Sequence, residues 1–186
     1  PFLLRTRYVN DAFFAQTKSV ITIHNAVFKG VFNYDQYSLV PELIQRRYIN
    51  AEIDPSHVSM LKAGVAYADR VNAVSPNYAS ELLTHLGSHG MEADFQARAS
   101  DLYGIVNGCD YRDWNPETDP FIKQSFKANK VSLVRGKKAC KRDLQQQVGL
   151  PVEDVPLYGM VCRLTEQKGI HYLIPVLKDF LVNDVQ

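Results

Sequence analysis

The sequence lacks several things that would place it quickly. Three cysteines (Cys109, Cys140 and Cys162) among 186 residues, with no C-x-x-C spacing, argue against a disulfide framework or a zinc knuckle. They fit a reducing cytoplasmic setting. No apolar run approaches the roughly 18 residues needed to span a bilayer, which argues against a membrane partner. Neither sign of charge dominates: 21 Lys plus Arg stand against 20 Asp plus Glu, a net charge of +1. A chain so balanced is not a general polyanion binder, so nucleic acid is not expected as a partner. There is no D-x-D pair to clamp a divalent metal on a diphosphate, no G-x-S-x-G elbow and no Walker loop. His85 and His89 stand four apart, but Gly87 lies between them and no third ligand is near, so no metal site is expected. The chain starts at Pro1 rather than Met, without a signal-type segment, and stops just after an apolar periodic stretch. It reads as an internal fragment of a longer protein.

What remains is ordinary globular composition, 46% apolar and 22% charged, with enough apolar surface for a sizeable core. Short apolar runs alternate with helical periods, which predicts α/β construction. Residues 20–23 are β-branched throughout and read as a buried parallel strand. Residues 56–69 carry Val58, Leu61, Val65 and Ala68 at helical steps. Residues 71–74 form a second strand, after which Ser75-Pro76 opens a helix, Ser as N-cap and Pro at the first helical position. Further strands are expected at 102–106 and 157–162. Residues 31–54, rich in Tyr and broken by Pro41, read as an irregular excursion with one short helix. Residues 110–120 hold two prolines and four acidic residues without period, which is linker chemistry. Residues 127–148 then read as a long helix with a solvated basic face and a buried side of Leu133, Val134, Ala139, Cys140 and Leu144.

Three predicted strands end in polar residues suited to a ligand: His24-Asn25, Asn107-Gly108 and Arg163. Open parallel sheets bind ligands just beyond the carboxyl ends of their strands. Each pair alone reads equally well as a cap or turn, but three in one chain favour a site. In residues 163–169, R-L-T-E-Q-K-G, an Arg at a strand end and a Lys before a glycine and a new helical period could hold a phosphate at a helix N-terminus. The same pair also reads as a polar surface loop, and spacing leaves both readings open.

Four blocks decide between them. T-I-H-N-A-V-F-K-G at 22–30 resembles the T-x-H-N-x-x-Y/F-x-G block of bacterial glycogen synthases and plant starch synthases. L-K-A-G-V-A-Y-A-D-R-V-N-A-V-S-P-N-Y at 61–78 is similar to that family's L-K-A-G…A-D…V-S-P-x-Y stretch. G-I-V-N-G-C-D at 104–110, followed by W-N-P-E-T-D at 114–119, resembles its G-I-x-N-G-I-D and W-N-P-x-x-D. R-L-T-E-Q-K-G resembles R-L-T-x-Q-K-G. The blocks occur in order and cover roughly residues 19–180.

The resemblance implies a GT-B type glycosyltransferase, two Rossmann-like domains facing across a cleft, with this chain covering the end of the first and the start of the second. Residues 1–109 would belong to the N-terminal domain, 110–126 to the linker and 127–186 to the nucleotide-sugar-binding domain. The implied reaction moves glucose from ADP-glucose to the non-reducing end of an α-1,4-glucan, with retention, no cofactor and no metal. Arg163 and Lys168 would hold the leaving diphosphate, His24 and Asn107 would lie beside the donor glucose, and Asn25 would join them in binding substrate. His24 would position the sugar rather than act as a general base. Cys109 stands where the family usually has Ile or Val, Lys29 where Gln is frequent, and residues 85–98 replace its usual loop. The family's K-x-G-G-L and E-P-C-G-L blocks are absent from the chain. Two rivals are a transferase using another nucleotide-sugar, such as UDP-glucose, and a non-catalytic glucan-binding module. The Arg163/Lys168 pair speaks against the module, because a glucan carries no charge to neutralise.

Overall fold

The computed structural model describes residues 1–33, 40–43, 50–51 and 54–186. The chain divides into two units, Pro1–Gly108 and Cys109–Gln186. In the first, three strands form a parallel sheet, β1 (Val20–Ile23), β5 (Arg70–Ala73) and β6 (Leu102–Gly104), with β5 in the centre. The register sets Ile23 beside Ala73 and Ala73 beside Gly104, so all three strands end at one edge. Four helices belong to this layer: α2 (Met60–Tyr67), α3 (Pro76–Glu81), α4 (His85–Ser88) and α5 (Glu92–Gln96). Their apolar sides meet Ile23, Val71 and Ala73 in a core that includes Ala26, Val65, Leu82, Met91 and Phe95.

Side chains alternate along a strand, and this core covers one face of the sheet. Val20 is 64% exposed and Thr22 is exposed as well, so β1 is not the strand buried on both faces that its β-branched run suggests. The 56–69 helix also needs correction. Residues before 60 belong to β4 (Asp54–Ser59), and only Met60–Tyr67 is helical. β4 sits between β2 (Val31–Asn33) and β3 (Asn50–Ala51) in a second, antiparallel sheet. Val58 therefore marks a strand, buried with Phe2, Leu43 and Ala63; Phe2 of α1 (Phe2–Arg5) meets Tyr67 edge-on, ring centroids 4.9 Å apart. The short helix expected within 31–54 is a 3-10 turn at Pro41–Leu43; residues 34–39, 44–49 and 52–53 of that range lie outside the described residues.

Both ends of α2 are capped from outside it. Ser59 Oγ accepts from Lys62 N–H (3.2 Å) and donates to the Lys29 carbonyl (2.9 Å). The carbonyls of Gly30 and Lys29 accept from Met60 and Leu61 N–H, each at 3.0 Å. Gly30 adopts φ +58° to present them, a conformation side chains resist. At the other end, the Arg98 guanidinium donates to the carbonyls of Val65 and Ala68, the latter at 2.7 Å.

The second unit is built on α6 (Lys130–Gln147) and α7 (Ile170–Phe180). Asn129 caps α6, its Oδ1 accepting from Ser132 N–H at 2.9 Å. The buried positions of α6 are Gly136 and Gln145, not the predicted apolar side: Leu133, Val134 and Leu144 are exposed and Cys140 is half-buried. Residues 109–129 fold back on the helix at Gly136, where a Cβ would fall within 2.4–2.7 Å of Phe126. At the other end the Gln145 amide donates to the Glu153 carbonyl at 3.0 Å. Residues 157–162, expected as a strand, form none among the described residues. A strand exists only through a hydrogen-bonded neighbour, and here one residue supplies it. Gln186 N–H donates to the Pro156 carbonyl (2.9 Å), and Tyr158 N–H donates to the Gln186 carbonyl (2.7 Å). That pair is the unit step of a parallel ladder. Together with α7, whose Phe180 meets Tyr158 at 4.9 Å between centroids, it outlines a βαβ crossover.

A Cβ added to Gly104 would lie 2.3–2.4 Å from the Pro76 Cα and N and the Ser75 carbonyl oxygen, whereas one at Gly108 meets nothing within 4 Å. Gly104→Ala in the full-length protein is expected to lower stability by about 1–3 kcal/mol, because backbone has to move. Gly108→Ala is expected to stay within about 0.5 kcal/mol of the parent. Denaturant melts of the two variants side by side make the comparison.

Candidate active site

β1 ends at the buried Ile23, and the exposed His24 is the first residue beyond it. Asn25 folds the chain into a turn, its Oδ1 accepting from Val27 N–H at 2.9 Å. That leaves the side-chain NH₂ as its donor group. Two strands over, β6 ends at Gly104, and Ile105 N–H adds one more bond to the Ala73 carbonyl (2.9 Å) before the chain leaves the sheet towards the exposed Asn107. β1 and β6 run parallel on either side of β5, so His24, Asn25 and Asn107 emerge at the same edge of one sheet. That is the edge at which α/β proteins receive ligands.

In the second unit, Arg163 and Lys168 are both exposed and share one turn. Thr165 N–H donates to the Arg163 carbonyl (2.9 Å) and Lys168 N–H to the Thr165 carbonyl (3.0 Å). A 3-10 turn at Glu166–Lys168 ends on Gly169, which takes φ +73° and is also the residue at which α7 begins. The N-cap position of α7, Gly169, has no side chain with which to cap the helix. Arg163 and Lys168 thus belong to the turn that leads directly into the positive end of the α7 dipole, and cations in that position suit an anion.

Several family-block residues prove to be structural. Asp69 ties the starts of β1 and β5 together: it accepts from Ser19 N–H (2.8 Å) and Ser19 Oγ (3.1 Å), while its own N–H donates to the Ser19 carbonyl (2.9 Å). Arg5 pairs with the same carboxylate. Asp110 accepts both from Arg112 N–H (3.0 Å) and from its guanidinium (2.7 Å), and the Asn115 and Asp119 side chains each close a local turn. Tyr78 Oη accepts from Ala26 N–H at 2.9 Å, inside the His24–Asn25 turn. His85 contacts Glu92 (2.9 Å), and His89 ends α4 in the left-handed conformation. Sequence reasoning recognised Asp69, Tyr78 and Gly104 as parts of the blocks but assigned them no work. The one signal available was Tyr78 itself, a hydroxyl-bearing aromatic on the apolar period of a helix that opens at a strand end.

Over 99% of its length the chain is similar to the catalytic domain of starch synthase IV from Arabidopsis thaliana, solved bound to ADP and acarbose, with a TM-score of 0.85 and 28% identity. That likeness puts the fold in the GT-B class of glycosyltransferases. The family model described as the starch synthase catalytic domain matches residues 1–97, and the chain belongs to that family. Along all 186 residues it is 85% identical to a glycogen synthase of Photobacterium profundum and 60% identical to one of Aliivibrio salmonicida. It spans 37% and 39% of those two relatives, and 38% of the Arabidopsis chain.

The Ser19 N–H bond, seconded by the Ser19 hydroxyl and the charges of Arg5 and Lys18, holds the Asp69 carboxyl below the ordinary aspartate range. A carboxyl depressed in the folded state contributes stability above its unfolded pKa of about 3.9 and loses it as the pH falls through the folded value. Asp69→Asn should therefore lower the melting midpoint of the full-length protein at neutral pH. The gap from the parent should narrow below about pH 4. Melts across a pH series check both parts.

Proposed function

We propose that the full-length protein carrying this chain is a retaining glucosyltransferase, a glycogen synthase, that transfers glucose from ADP-glucose to the non-reducing end of an α-1,4-glucan. The observation that carries the reading is the 163–169 turn, in which the chain runs from Arg163 through Lys168 directly into the N-terminus of α7 at Gly169. Charge builds on the departing phosphate oxygen as its bond to the anomeric carbon breaks. Without a metal clamp, protein cations must answer that charge. The names of the glycogen synthase relatives and the ADP in the Arabidopsis structure support a nucleotide-sugar donor and a glucan product. His24 and Asn107, at one edge of the parallel sheet, are suited to hydrogen-bond the donor glucose, with the Asn25 NH₂ beside them. In this reading residues 1–109 belong to the N-terminal domain and 127–186 to the nucleotide-sugar-binding domain, joined through 110–126. No helix among the described residues is long and apolar enough to cross a membrane, and the three free cysteines suit a cytoplasmic enzyme.

Lys168→Ala in the full-length enzyme is expected to lower kcat by roughly two to three orders of magnitude, the scale seen when one donor is removed from a developing anion. Lys168 is exposed, so the thermal melt should not change. Near-parental turnover with ADP-glucose would sink the assigned role, and faster turnover with UDP-glucose would sink the donor. A second expectation concerns metal. Chelator added to the full-length enzyme should leave most of the activity, because the cations are the protein's own. Complete loss restored by magnesium would contradict the mechanism.

A further inference from the structure

The turn after β1 is held mostly by itself. Val27 N–H bonds to Asn25 Oδ1 (2.9 Å), Phe28 N–H to the Asn25 carbonyl (3.3 Å) and Lys29 N–H to the Val27 carbonyl (3.2 Å). Ala26 differs. It is fully buried, so its N–H cannot turn to water, and its acceptor is the Tyr78 hydroxyl of α3 at 2.9 Å. The ring has little freedom. It packs on the core to which Ala26 and Ile23 belong, and Tyr78 N–H is fixed by the N-cap Ser75 Oγ at 2.9 Å. The backbone of Ser75 and Pro76 is in turn pressed against Gly104 at the end of β6. The first turn of α3 thus touches both strand ends that carry candidate donor-binding residues.

We propose that Tyr78 is a positioning residue for the donor site, holding His24 and Asn25 in place through the Ala26 amide; this rests on the reading that those two residues face the donor sugar. Removing only the hydroxyl leaves a buried N–H without an acceptor. The Asn25–Ala26 peptide plane then rotates to find another, and it carries the Asn25 backbone and the adjoining His24 with it. The ring remains, so the core keeps its packing. The error falls on the side chains that orient the sugar, where a displacement of about 1 Å already slows a reaction.

The test is Tyr78→Phe in the full-length protein, assayed with ADP-glucose and glycogen. We expect kcat to fall about tenfold or more, with the KM for glycogen unchanged and the melting temperature within a few degrees of the parent. Amide hydrogen exchange at residues 24–27 should accelerate. Parental kcat alongside faster exchange would make the hydroxyl purely structural, and unchanged exchange would remove the hydrogen bond on which the inference stands; either overturns it. A fall in kcat matched by a large loss of thermal stability, and recovered on cooling, overturns it too. Failure of the underlying reading appears elsewhere, in a parent protein that does not turn over ADP-glucose, and takes this inference with it.

Discussion

The end of β6 lies backbone to backbone against the first turn of α3. Gly104 brings its backbone against Ser75 and Pro76 at a distance no side chain would permit. Much else at that sheet edge depends on it. The approach sets where α3 begins, and Ser75 and Pro76 can then start the helix without a wasted donor. The start of α3 in turn fixes where the Tyr78 hydroxyl reaches, and that hydroxyl anchors the turn beyond β1. One missing Cβ therefore registers two strand ends against each other across β5.

The opposite edge of the same sheet is held differently. There a carboxylate does the work, with Asp69 gathering Ser19 and Arg5 where β1 and β5 begin. The two devices divide the labour in a way that suits their surroundings. At the entry edge an ionic hydrogen-bond cluster can be partly exposed to water and still hold. At the exit edge, steric contact and the Tyr78 hydroxyl do the holding, and among the described residues the side chains of His24 and Asn107 and the Asn25 NH₂ carry no hydrogen bond to the framework.

How much of this could be read from residues alone varies with the kind of signal. β1, β5 and the α3 start were legible, because β-branched runs and a Ser-Pro cap are local signals. The 56–69 period misled, because Val58 satisfies a helical spacing while sitting on β4, and strand pairing with β2 and β3 outweighed it. The buried side of α6 misled for a related reason: apolar identity marks Leu133 and Val134, but the neighbours the helix has in its unit press on Gly136 and Gln145. The polar ends of two strands, with His24 beyond β1 and Asn107 beyond β6, were legible, whereas Arg163 follows a stretch that forms no strand among the described residues. The supports of the candidate site were not legible. Tyr78 reaches Ala26 across 52 positions of sequence and Arg98 reaches Ala68 across 30, and no local pattern announces such partners.

β1 and β5 lie side by side, yet the chain between them runs from His24 to Asp69 and builds a separate antiparallel sheet on the way. Closing a chain segment costs free energy only with the logarithm of its length, about 0.6 kcal/mol for each doubling. The Asp69–Ser19 cluster and the caps of α2 pin the ends of that segment independently of most of what lies within it. The parallel sheet is thus nearly indifferent to the length of the excursion. Lengthening, shortening or exchanging the part between Val31 and Asp54 would alter the surface that goes with the antiparallel sheet while leaving the register of the parallel strands alone, so evolution or an engineer can change what the protein meets there without redesigning the parallel frame.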